Sequence, residues 1–313
     1  MNNLSDFMLP PAKSTLAAET DALFNFINVA SLIFLVGITI AIIYFSWKYR
    51  RRSDQDVTPV IAHNSKLEIT WSVIPLVLVL IVFGRGFTGY IDNITPPDDA
   101  YEIRAVGKTW LWEFHYPNGH VSINELHVPA GRPVKLVMSS DDVIHSLYIP
   151  DFRVKMDVLP NRYTQLWFEA IEPGESTIFC AEYCGTAHSN MIATTYVYEE
   201  EEFVTWLASA GSADDSMDPV ELGQELITRN ACATCHSSDG TDLIGPTFQG
   251  LWQSEVVMQD GETVIADENY LRESILEPNA RIVDGYDPVM PTFAGTLNDR
   301  QIEAIIEYIK TLE

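Results

Sequence analysis

The chain has 313 residues, 47% of them apolar, and carries 19 Lys and Arg against 44 Asp and Glu, a formal net charge of −25. Residues 1–97 hold seven basic and seven acidic side chains, so the whole deficit falls in residues 98–313. Such acidity excludes a nucleic-acid binder, which needs a basic face, and the length allows more than one domain.

Residues 1–20 lack the basic start and apolar core of a secretory signal, so no cleaved peptide of the ordinary form is expected. From Leu23 to Tyr44, 22 residues pass without a charge, enough for a helix to cross about 30 Å of hydrocarbon. A second apolar run covers residues 69–90, with Pro75 near its start and Arg85 late in it. The arginine stem can stay in the apolar layer while its head reaches the interface. Transmembrane spans are therefore predicted at 23–45 and 69–90, within an N-terminal region of residues 1–97. Lys48, Arg50, Arg51, Arg52 and Lys66 lie between the runs, whereas the N-terminal tail has Lys13 alone. The positive-inside rule puts the connecting loop in the cytoplasm and both termini on the outer side, together with everything after the second span.

Residues 98–200 read as short alternating segments, among them 101–106, 133–138, 164–168 and 195–198, broken by Pro117 to Gly119, Pro129 to Gly131 and Pro173-Gly174. Many short strands of this kind predict a β sandwich or barrel. Cys180, Cys184, His188 and Met191 share one loop between the last strands, and His145 is expected to arrive from another loop. One Cys with two His and a weak Met would make a mononuclear copper site. A second Cys four residues on lets two thiolates bridge a pair of copper ions, each completed by one imidazole.

His145 with Cys180, Glu182, Cys184, His188 and Met191 resembles the CuA site of cytochrome c oxidase subunit II. That resemblance implies a cupredoxin-like β sandwich behind a two-helix membrane hairpin. It further implies that Cys180 and Cys184 bridge both coppers, that His145 and Met191 complete one, and that His188 and the Glu182 carbonyl complete the other. The Glu182 carboxylate would reach a magnesium ion at the contact with subunit I. Leu67 to Ser72 and Pro75 are similar to the start of the family's second helix, where Glu68 would stand at the mouth of a proton path; a glutamate that merely marks the helix end is the other reading. Gly107 to Tyr116 resembles the family's aromatic stretch over the copper, with Trp110 where electrons arrive from the donor. Leu111 departs from the aromatic usual between the two tryptophans, and Trp112 fits ordinary strand core equally well.

Residues 201–216 are expected to form a short helix, over 203–208, and a flexible linker, over 209–216. Asp218-Pro219 then offers an N-cap and a first-turn proline, with Leu222, Leu226 and Ile227 on the inner helix face. The helix leads into Cys232-Ala233-Thr234-Cys235-His236, the attachment pattern of a c-type haem, with thioethers from the cysteines and iron ligation by His236. All four cysteines of the chain are thus assigned, which leaves none for a disulfide. Gly245-Pro246 and the run Asp287 to Pro291 resemble the proximal and distal loops of class I cytochromes c, making Met290 the sixth ligand. Met258 lacks that proline context and reads as packing. A closing helix from near Asn298 shows Ile302, Ile305, Ile306 and Ile309 at helical spacing, so residues 217–313 are expected to be an all-α cytochrome c domain.

The whole chain resembles subunit II of a caa3-type cytochrome c oxidase, a multidomain membrane protein with a cytochrome c fused at its C-terminus. The resemblance implies electrons arriving at haem c, passing to CuA and on to haem a of subunit I, where oxygen reduction is coupled to proton pumping. No residue of this chain would itself be catalytic. Partners implied are subunit I, subunit III and an external electron donor, in a prokaryotic plasma membrane. The rival readings are the CuA-bearing subunit of a nitric oxide reductase and a free-standing membrane-anchored redox carrier. Residues 98–216 and 217–313 carry net charges of −12 and −13, so tethering rather than charge must bring the two units together, on a mostly apolar contact.

Overall fold

The computed structural model describes residues 4–57, 63–210 and 217–312. A short helix α1 (Leu4–Met8) precedes two long ones, α2 (Thr15–Lys48) and α3 (Ser65–Ile94). Side-chain caps start both: Ser14 accepts the Ala17 N–H and Asn64 the Leu67 N–H, each at 3.2 Å. Their middle stretches expose apolar side chains on every side, and none of the most apolar 18-residue window of either helix is buried. An apolar surface that the protein itself does not cover is what lipid covers. The predicted spans sit inside these helices.

Both helices meet the β unit at the same end of the hairpin. Thr15 donates its N–H to Glu169 O at 3.0 Å, the Ser14 hydroxyl donates to Phe152 O at 2.7 Å, and Arg153 pairs with Asp21 at 2.8 Å. At the tail of α3, Trp167 Nε1 donates to Asp92 O at 2.8 Å. Lys48 and the arginines after it lie at the other end.

The β unit is two five-stranded sheets face to face. One has the order β3 (Val121–Ile123), β2 (Leu111–His115), β1 (Tyr101–Lys108), β5 (Val134–Ser140), β8 (Thr164–Phe168). The other runs β4 (Glu125–Pro129), β10 (Ile192–Tyr198), β9 (Gly174–Cys180), β6 (His145–Ile149), β7 (Val154–Val158). Strict alternation in β5, with Val134, Leu136 and Met138 fully buried, shows one face turned to the core. Strand β2 breaks the rule: its first four residues are all buried. Helix α4 (Glu200–Ser209) follows and stacks Trp206 on His127, 4.0 Å between ring centres. The predicted linker lies outside the described residues from position 211 to 216.

In the C-terminal unit, α5 (Pro219–Arg229) crosses α7 (Asp299–Lys310), and α6 (Glu268–Leu276) packs beside them. Asp218 caps α5 through the Val220 N–H, and Asn298 and Gln301 form a reciprocal capping box on α7. The expectation of an all-α unit needs one addition. A hairpin of β11 (Glu255–Val257) and β12 (Thr263–Ile265) stands between α5 and α6, turned by Gly261 at φ +87°. Its buried Val256 and Met258 close the core from that side.

Candidate metal and haem sites

Strand β9 ends at Cys180 and β10 begins at Ile192, so the loop between them carries Glu182, Cys184, His188 and Met191. His145 is the first residue of β6 rather than part of a loop, as the sequence had suggested, and β6 pairs with β9 at Leu147 and Cys180. Pairing of adjacent strands thereby brings together two residues 35 positions apart. The Cys180 and Cys184 sulfurs are 3.7 Å apart. That is far beyond the roughly 2.05 Å of a disulfide, and both thiols are free. His145 Nδ1 stands 3.9 Å from the Cys180 sulfur, and His188 Nδ1 3.4 Å from that of Cys184. Met191 Sδ lies 3.7 Å from Cys184 Sγ, and the Glu182 carbonyl 3.2 Å from Cys180 Sγ. All six predicted ligand positions are gathered in one cluster. Two soft sulfurs flanked by two imidazoles form a donor set that suits copper.

The surroundings pre-orient these groups. Asp142 holds His145 Nε2 at 2.7 Å and accepts both the N–H and the hydroxyl of Thr109, at 2.7 and 2.6 Å. Burial works against the Asp142 charge, but the hydrogen bonds from His145 and Thr109 outweigh it and hold that carboxyl well below its ordinary range. A carboxylate can only accept, so the His145 proton sits on Nε2, and Nδ1 offers its lone pair toward the sulfurs. Burial, with the neighbouring Cys180 sulfur adding to it, pushes the Cys184 thiol up. Gly107 makes room for the ring, since a Cβ there would lie 2.8 Å from His145 Cδ2. Trp112 is fully buried and meets His145 edge-on at 5.9 Å. The sequence signal for Asp142 and Gly107 was slight: a surface-like Asp-Asp pair and a glycine in a strand.

The second site is an apolar cavity in the C-terminal unit. Ala231, in the left-handed region at φ 57°, turns the chain from α5 into a single helical turn over Cys232–Thr234. Cys232, Cys235 and His236 line the cavity, as do Phe248, Ile305 and Met290. His236 donates Nδ1–H to Pro246 O at 2.7 Å, leaving Nε2 as an acceptor, and Phe248 stacks on its ring at 4.7 Å. Burial lowers the His236 pKa, so the imidazole is neutral, the form that binds iron. Gly245 crosses so close that a Cβ would lie 2.6 Å from His236 Cε1. Burial also pushes the Cys232 thiol up to about 12. Neutral imidazole, two unbridged thiols and a thioether around one apolar cavity fit a covalently attached haem. Met258 is 2% exposed, belongs to the core and does not line the cavity.

Trp110 touches both sites. Its Nε1–H donates to the Cys184 carbonyl at 3.1 Å, and its ring lies over Gly185, where a Cβ would be 3.1 Å away. The same residue, with Thr109 and Leu111, lines the cavity of Cys232 and His236. Glu68 stands apart in the first turn of α3, where it accepts the Asn64 N–H at 3.2 Å and contacts His63 at 3.1 Å. The Glu182 side chain is exposed beside the cysteine loop.

Three family models match the chain. Residues 2–85 match the transmembrane domain of cytochrome c oxidase subunit II, residues 120–197 its periplasmic domain, and residues 220–313 match cytochrome c. Cytochrome c oxidase subunit 2 of Alkalihalophilus pseudofirmus is 32% identical over 294 residues, covering 89% of this chain and 83% of the relative. The Synechocystis protein of the same name is 29% identical over 66% of this chain and 76% of its own length. Among solved structures, the periplasmic domain of subunit II from Bradyrhizobium japonicum is 29% identical, covers 38% of this chain and 99% of its own, and has a TM-score of 0.37. These domains imply a CuA centre and a haem c, in a membrane-anchored subunit that associates with subunit I. By ligand cluster, haem cavity and sequence match together, the chain belongs to the cytochrome c oxidase subunit II family, in a form that carries its own cytochrome c domain and acts within an oxidoreductase complex.

Proposed function

We propose that this chain is the electron-receiving subunit of a caa3-type cytochrome c oxidase. When bound, the haem and the copper pair would each take up and release one electron. Cys232, Cys235, His236 and Met290 would hold the haem. His145, Cys180, Cys184, His188, Met191 and the Glu182 carbonyl would hold the copper pair. The observation that carries the reading is Trp110, whose indole lines the haem cavity and hydrogen-bonds the Cys184 carbonyl at 3.1 Å. It gives the two sites a shared contact through a single side chain. Asp142 keeps the His145 lone pair turned inward, and the burial of Cys180, Cys184 and Met191 excludes water from the cluster.

The remaining assignments belong to the same proposal. The basic loop after α2 supports a cytoplasmic connection, with the β and haem units on the outer face of a prokaryotic plasma membrane. The exposed Glu182 carboxylate beside the cysteine loop suits a magnesium ion shared with subunit I. Glu68, at the cytoplasmic end of α3, suits the mouth of a proton path in that subunit. Subunit III and an external donor would complete the assembly, which reduces oxygen to water while pumping protons.

Metal analysis with EPR and optical spectroscopy of the purified complex tests the core of this reading. The expected result is three copper atoms per c-type haem, the pair of this chain and one resident in subunit I, with a mixed-valence copper signal from the pair and a low-spin c-type haem spectrum lost in Met290→Ala. A single copper, or a haem spectrum indifferent to Met290, refutes it.

A further inference from the structure

Strand β2 is buried on both faces. Trp112 and Phe114 point into the sandwich and are fully buried, as alternation requires. The side chains that alternate with them belong to the outer face of their sheet, yet Leu111 and Glu113 are only 4% and 3% exposed. Ile123, paired with Glu113 across β2 and β3, is 2% exposed. The haem unit covers all three. Leu111 and Ile123 share one apolar cluster with Phe293 and Leu297, and the Thr296 hydroxyl donates to Glu113 at 3.3 Å. Ile244 and Val289, beside the His236 and Met290 loops, pack in turn against the core of the sandwich.

We propose that this outer face of β2 is a seat that holds the haem unit in one register, so that the β unit supplies one wall of the haem crevice. Glu113 is the positioning residue. Lys108 at 2.8 Å and His115 at 3.2 Å grip its carboxylate from within the β unit, which presents one oxygen to Thr296 in a fixed direction. Leu111 fills the apolar space beside Trp110, on the cavity wall. The inference rests on the reading of residues 217–313 as a haem-bearing electron relay. A seated unit keeps water from the Trp110 side of the crevice, and a tethered but unseated one lets water in. Apolar surroundings disfavour the extra positive charge of oxidised iron, so unseating lowers the haem midpoint potential.

The test uses the full chain in the purified complex. Thr296→Val removes the donor at nearly constant shape, Thr296→Ser retains it, and Leu111→Asp places a charge in the apolar seat. Amide exchange of residues 109–113 and 293–297 is expected to rise together, about tenfold for Thr296→Val, the usual weight of a hydrogen bond to a charged acceptor. Leu111→Asp raises it further, the haem midpoint falls in the same order, and Thr296→Ser behaves as the unmodified chain. Unchanged exchange and potential in Thr296→Val and Leu111→Asp overturn the seat. The copper EPR signal serves as the fold control for Leu111→Asp; where it is lost, Thr296→Val, on a loop outside the sandwich, decides alone. Absence of the copper pair from the unmodified chain refutes the electron-transfer reading instead and leaves the seat, read by exchange, standing.

Discussion

A carboxylate three residues ahead of His145 decides how that imidazole presents itself. Asp142 is itself pinned by Thr109, so the ring is held from behind by a group that cannot swing away. Asp142→Asn keeps the shape but surrenders the charge and can place a donor against Nε2–H. Copper affinity is expected to fall about 10–100-fold, some 1.4–2.8 kcal/mol, measured by chelator competition with the EPR signal as readout. Unchanged affinity would make Asp142 a turn residue only. The cysteines, histidines and Met191 were legible because a metal demands particular atoms at set spacings, and those demands survive in the linear chain. Asp142 was not, because an aspartate before a strand reads as ordinary turn chemistry until the fold shows what it touches.

At the level of elements, helix α5 carries a glycine, Gly223, in its interior, where it normally costs about 1 kcal/mol relative to alanine. The structure supplies the reason. A Cβ there would lie 2.0 Å from Ala304 O and 2.7 Å from Tyr308 Cβ, on the crossing helix α7. Gly223→Ala gains helix propensity but overpacks against main chain that cannot move aside, a cost of about 1–3 kcal/mol or more. Melting of the haem unit, followed in its Soret band, is expected to drop by several degrees; a melt at the original temperature would show that α5 and α7 do not cross so closely. The crossing helices themselves were readable from Leu222, Leu226, Ile227 and the isoleucines of α7, since periodicity records which face is buried. The ends of α2 and α3 were less so, because hydropathy marks only the part inside lipid, whereas capping by Ser14 and Asn64 sets where the helices begin. Burial of Leu111 and Glu113 left no local trace either, for alternation reports one covered face and cannot announce a second.

For the molecule as a whole, two acidic units with net charges of −12 and −13 meet on a largely apolar contact. A short tether supplies an effective concentration on the order of millimolar without any attraction between them. Electron transfer from haem to copper is therefore expected to stay nearly constant as salt is raised from about 0.02 to 0.5 M, a range over which exposed charge–charge forces are largely screened. Flash-induced kinetics on the intact complex measure this directly, and a steep fall with ionic strength would overturn it. The contact joins Thr296 to Glu113 across 183 residues of chain. Separation of that order leaves nothing in either segment to mark the other, which is why the domains could be read from sequence and their mutual fit could not.

Lys13, Ser14 and Thr15 are sewn to the β unit by four main-chain or hydroxyl bonds, and Arg153 clamps Asp21 nearly two helical turns further along α2. Trp167 ties the far leg of the hairpin to the same unit. With both legs fastened, the anchor acts as a stilt rather than a leash. The cysteine loop stands at a set altitude above the bilayer, and any tilt of the helices must swing the cluster of Cys180, Cys184 and His145 through the same angle.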